Sequence, residues 1–109
     1  MIWTGGALTI PDTSIYTYAS QTDLSRTILN QFDLPVSDYP FSKDILGANA
    51  KSFAMYFFNN GFGFMSDSTE VIYDNNINDF IYTSGAATNE RKESTKAYLQ
   101  FLSNDFNAR

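Results

Sequence analysis

The chain has 109 residues, 43% of them hydrophobic, which suits one folded domain with a packed interior and is too apolar for a disordered segment. Its net charge of −5, with seven Lys and Arg scattered rather than clustered, argues against nucleic acid as a partner. The absence of His and Cys removes disulfides, thiolate and imidazole metal ligands, and nucleophiles of the Ser-His or Cys-His kind.

At the N-terminus, "MIWTGGALTI" predicts a strand over residues 2–4, broken at Gly5-Gly6 and resuming over 7–10. This start has neither the basic residues nor the long apolar run of a signal peptide, and no stretch of the chain is long and apolar enough for direct membrane insertion. The compartment is left undecided. A polar loop with two tyrosines follows over 11–20.

"SQTDLSRTILNQFD" (20–33) predicts a helix. Ser20 suits the N-cap, and Asp23, three residues on, occupies the position of a capping-box acid. Leu24, Ile28 and Phe32 recur every four residues, with Leu29 beside them, and form one apolar stripe. Pro35 prevents continuation. Residues 36–52 read as loop, with a short helical turn over Ser42–Leu46.

Residues 53–84 change period. "FAMYFF", "FGFM", "EVIYD" and "FIYT" are short aromatic or β-branched runs, separated by "NNG", "SDST" and "NNIND". Asn, Asp and Gly tolerate the positive φ that tight hairpins use, so the segment predicts four antiparallel strands in a meander. Alternation sends Phe62 and Phe64 to one face and Gly63 and Met65 to the other; likewise Val71 and Tyr73 oppose Ile72. The last element is a helix from about Asn89 to Asp105, capped by Thr88 or Asn89, with Leu99, Leu102 and Phe106, flanked by Tyr98 and Phe101, as the stripe that meets the sheet. The expected class is α+β: a strand and a capped helix, then a four-stranded meander packed against a C-terminal helix. One domain spans 1–109, built of segments 1–52 and 53–109.

Little in this chain is catalytic. Carboxylate pairs are the remaining option, and Asp67, Glu70, Asp74 and Asp79 all fall in or beside turns. They read as turn formers and solvated strand ends, the sharper alternative being a weak calcium site without EF-hand spacing. Asp23 as a catalytic acid competes with capping, which accounts for it fully. "NNGFGF" (59–64) is either a ligand loop or, more simply, a hairpin with core-facing aromatics. The tyrosines at 16, 18, 39, 56 and 73 are either a sugar or peptide surface or half-buried structural residues. No catalytic, cofactor-binding or metal residue is nominated.

The order of pieces carries more than any one of them. "IWTGGAL", then "SQTDLSRTILNQFDLP", then "PFSKDIL", then "FAMYFFNNGFGFM" with "VIYDN" resembles the C-terminal end of the sulfatase branch of the alkaline phosphatase superfamily, most of all phosphoglycerol transferases of the lipoteichoic-acid-synthase type. The matching positions are Ser20, Gln21, Asp23, Leu24, Thr27, Ile28 and Leu29, then Leu34-Pro35, then Pro40, Phe41, Ser42, Ile45 and Leu46. The likeness covers residues 1–83. It implies an extracytoplasmic, metal-dependent parent whose nucleophile and metal ligands all lie upstream of the strand that "IWTGGAL" resembles. The chain is therefore expected to be a non-catalytic C-terminal portion, inactive alone and without a cofactor. Its partner is the missing N-terminal catalytic part, or a second copy through residues 1–10, whose Ile2 and Trp3 are left uncovered. The alternative is a small stand-alone aromatic-rich module that binds glycan or peptide.

Overall fold

A computed structural model of the chain describes residues 5–6, 12–86 and 88–109. The strand expected over 2–4 and 7–10 lies outside the described residues. The remainder is α+β, in the order helix α1 (Asp23–Gln31), strands β1 (Phe53–Phe58), β2 (Gly61–Ser66), β3 (Thr69–Asp74) and β4 (Asp79–Gly85), and helix α2 (Asn89–Ala108). The chain divides into two compact units, Met1–Ser52 and Phe53–Arg109. Among the described residues no helix is long and apolar enough to cross a membrane.

In the first unit α1 starts later than the capping pattern suggests. Thr22 occupies the N-cap without a side-chain bond, and Asp23 is the first helical residue. Its carboxylate reaches back to the Ser20 amide at 2.8 Å, an Asx-type contact that closes the turn just ahead of the helix. The helix ends before Pro35 is reached. Asp33 adopts a left-handed φ of 54°, the Leu34 amide donates to the Leu29 carbonyl at 3.0 Å, and the Asp33 amide donates to Asn30 at 3.2 Å. That is a Schellman closure with Asp in the place usually taken by Gly.

The buried stripe of α1 is not the apolar one. Asp23 and Thr27 are 2% and 0% exposed, while Ile28 and Phe32 are 40% and 56% exposed. The helix packs its polar side inward, where Asp23, the Arg26 amide and Thr27 hydrogen-bond to residues 42–45; residues 42–46 take turns and extended backbone rather than the expected helical turn. Among the described residues this unit buries Asp23, Thr27 and Ser42 and no hydrophobic side chain.

The second unit has the conventional core. Its strands form an antiparallel sheet in the order β1-β2-β3-β4. Met55, Phe62 and Tyr73 form a cluster on one face, with Phe80 against it, and α2 lays Tyr98 and Leu99 over the same face. Phe62 stacks on Tyr73 with centroids 5.2 Å apart, and Phe53 meets Tyr98 edge-on at 6.1 Å. The predicted alternation holds: register places Phe62, Phe64, Val71 and Tyr73 on this face and Gly63, Met65 and Ile72 on the other.

Helix α2 runs three residues beyond the expected Asp105 and is capped by Thr88, whose hydroxyl accepts from the Arg91 amide at 3.3 Å. Its seam differs from the expected one. Leu99 touches the core, but Phe106 is 78% exposed. Twenty helical residues span about 30 Å, against about 20 Å for a six-residue strand, so the last turns outrun the sheet. At the other end the seam is made by buried Thr95 and by Lys92 and Lys96, whose ammonium groups lie 5.1–5.3 Å from the Phe80 and Tyr73 ring centres.

Candidate functional site

The densest polar constellation is built around Asp23. One carboxylate oxygen accepts from the Lys43 amide at 2.9 Å, and the other from the Ser20 amide and from Lys43 Nζ at 2.5 Å. One turn on, the Thr27 hydroxyl donates to the Asp23 carbonyl at 2.7 Å and accepts from the Ile45 amide at 3.0 Å. Ser42 Oγ accepts from the Arg26 amide at 2.9 Å, and Asn30 donates to Asp44 at 2.9 Å. Spacing of three to four residues puts Asp23, Thr27 and Asn30 on one side of α1. That side fixes the path of residues 42–46, one bond at a time.

This arrangement has no free chemistry. Both oxygens of Asp23 are engaged, and the residue is buried, so it presents nothing to a substrate. Burying a carboxylate is tolerable only with a counter-ion and satisfied lone pairs, and Lys43 supplies the first of these. Sequence reasoning missed Lys43 as the partner, since the two residues are twenty positions apart and neither periodicity nor capping links them.

Of the four turn acids, Asp74 and Asp79 stand opposite each other as register partners across β3 and β4, and the other two lie apart from them. Asp74 Oδ1 accepts from the Asn76 amide and Asp79 Oδ1 from the Phe80 amide, each at 2.7 Å, as turn-forming carboxylates do. Asp67 lies in the β2–β3 turn, and Glu70 and Asp74 sit four residues apart on β3. Among the described residues no three His, Cys, Asp or Glu side chains are grouped to hold a metal ion. The five singled-out tyrosines divide: Tyr73 is in the core, Tyr56 is on the sheet, and Tyr16, Tyr18 and Tyr39 belong to the other unit.

"NNGFGF" is a hairpin, with Asn59-Asn60 as its two-residue loop. Neither Asn takes a positive φ; in the sheet's turns Asn78 does, at 55°, and it accepts a hydrogen bond from the Tyr73 hydroxyl. The glycines have a different use. A Cβ on Gly63 would fall 2.0 Å from Cζ of Tyr56, because the hydroxyl end of that ring occupies the space beside the Gly63 backbone. One row along, the Phe58 ring covers Gly61 in the same way. The face turned away from α2 is thereby paved with aromatic rings. Register aligns Tyr56, Gly63, Ile72 and Tyr82 in a single row across all four strands, with Glu70 in the next row. Burial, and secondarily the Glu70 charge, push the Tyr56 phenol above its ordinary value.

Comparison with protein-family models, curated proteins and solved structures gives no match to this chain.

Proposed function

We propose that the chain is the non-catalytic C-terminal portion of a sulfatase-like enzyme, a phosphoglycerol transferase or sulfatase, whose nucleophile and metal centre reside in a separate upstream part. The observation that carries this reading is the inverted burial of the first unit. Its helix buries Asp23 and Thr27 and turns Ile28 and Phe32 outward, with Leu34 and Tyr39 also 50% and 41% exposed. Apolar burial is the main source of folding free energy, and a free-standing unit normally spends its apolar side chains on its own interior. An apolar side left open, beside a polar side that is buried and hydrogen-bonded, suits a piece whose second layer comes from elsewhere.

The residues present do not fit the parent family's metal. The chain has no His or Cys, and among the described residues no three carboxylates are grouped as metal ligands. The metal step therefore belongs to the upstream part, and this chain's contribution is the shape of the domain that holds it. The purified chain is expected to leave an aryl phosphate and an aryl sulfate intact with added divalent metal, and to bind an apolar-surface dye such as ANS. Replacing Ile28 and Phe32 by serine should remove most of the dye signal. Metal-dependent turnover that copurifies with the chain through successive columns, or dye binding unaffected by the double substitution, would sink the reading.

A further inference from the structure

The outer face of the sheet carries a second, independent reading, which holds whether or not the chain belongs to a larger enzyme. Residues 53–85 contain four acids, Asp67, Glu70, Asp74 and Asp79, and no Lys or Arg. The second unit's cations, Arg91, Lys92, Lys96 and Arg109, are on α2 or at its C-cap. Two of them are spent over the rings of the inner face. The outer face therefore combines exposed rings with acids, Glu70 and Asp74 among them, and no cation from the strands themselves. Tyr56, Phe58 and Tyr82 stand 37%, 42% and 45% exposed there.

Charge and spacing select the occupant. Along β3, Glu70, Ile72 and Asp74 point to the outer face at alternate positions. Four residues of strand separate the two carboxylates by about 13 Å, with Ile72 and its row-mates Tyr56 and Tyr82 between them. An extended peptide laid along β3 presents side chains to one face at the same interval. We propose that this face binds an extended basic peptide segment with cations four residues apart and an apolar residue midway. The cations would meet Glu70 and Asp74 and stack on the neighbouring rings, and the apolar residue would sit over Ile72. A glycan fits less well: its hydroxyls need donors as well as acceptors, and apart from tyrosine hydroxyls the charged groups on this face are acceptors only. A second copy of the same face would bring like charge against like.

The test uses the full chain, isotope-labelled for amide NMR, and a capped synthetic heptapeptide, Ser-Lys-Ser-Leu-Ser-Lys-Ser. Shift changes are expected on Tyr56, Glu70, Ile72, Asp74 and Tyr82, weakening as salt is raised. Glu70→Gln and Tyr82→Ser should each lower affinity about threefold, the size of one exposed cation–π or ion-pair contact, with the spectrum otherwise unchanged. The same peptide with glutamates for lysines should not bind. The proposal is overturned if no shifts appear at the highest soluble peptide concentration. It is equally overturned if the acidic peptide binds as well, if shifts map to α2 or to the first unit, or if cellohexaose perturbs this face while the lysine peptide does not.

Discussion

Replacing Asp23 by Asn isolates what the buried ion pair contributes. The side chain keeps its shape but loses its charge and exchanges one acceptor for a donor. Of the three groups now facing the carboxylate, the Ser20 amide, the Lys43 amide and Lys43 Nζ, only part can still be accepted. The Lys43 side chain is 15% exposed and Asp23 3%, so the stranded ammonium cannot simply rehydrate in place. Removing one partner of a buried pair typically costs about 3–5 kcal/mol. A unit of this size has a total stability of about 3–8 kcal/mol at 0.05–0.15 kcal/mol per residue. The loss is therefore of the same order as all the stability there is. Amide hydrogen exchange on residues 23–46 should show protection of α1 collapsing without denaturant. Lys43→Met in the Asp23→Leu background should restore part of it, because no unpaired charge then remains. Protection reduced by less than about 1 kcal/mol in Asp23→Asn would show that the pair is solvent-screened, and the account of the first unit would be wrong.

Other substitutions probe the sheet. Gly61→Ala places a Cβ 2.0 Å from the Tyr73 carbonyl oxygen, a backbone atom, whereas Gly63→Ala meets the end of the mobile Tyr56 side chain. Urea unfolding should show a loss of about 3 kcal/mol or more for the first and about 1 kcal/mol for the second, since only the second clash can be relieved by a ring swinging aside. Phe62→Ala, at a position 2% exposed, should cost about 3–5 kcal/mol by the same assay. Site-specific NMR titration should find the Tyr56 phenol above its ordinary 10.0, and Glu70→Gln should lower it only partway, burial being the larger cause. The unfolded chain then loses this proton first, so Tyr56 makes the fold less stable as pH rises above 10.0 and has no such effect below it. Light scattering after size exclusion should show concentration-dependent association driven by the open apolar side of α1; a clean monomer at high concentration would contradict it.

What the sequence made legible was the part governed by strand period. The alternation of Phe62 and Phe64 against Gly63 and Met65 is local and has one solution once a face is buried. Helix α1 was placed correctly to within a few residues, yet the polar side it buries was not foreseen. Periodicity ranks Leu24, Ile28 and Phe32 by hydrophobicity, and it cannot see that Asp23 and Thr27 have partners at Lys43 and Ile45. The seam of α2 was legible at Tyr98 and Leu99 but not at its start, for a related reason: Lys92 and Lys96 count as polar in a pattern, but their stems and charges pack well on rings. Turn positions were readable from Asn and Asp, whereas turn conformation was not. Asn59 and Asn60 keep negative φ, and the outer-face row of Tyr56, Ile72 and Tyr82 emerges only from the register of three strand pairs.

The central claim is that this chain completes a larger enzyme. It is tested most directly by the mass of the native polypeptide in its source cells, captured with an antibody raised against these 109 residues and identified by mass spectrometry. The account predicts a species several times larger than 12.3 kDa, carrying upstream sequence with a nucleophile and metal ligands. A species at 12.3 kDa alone would contradict it.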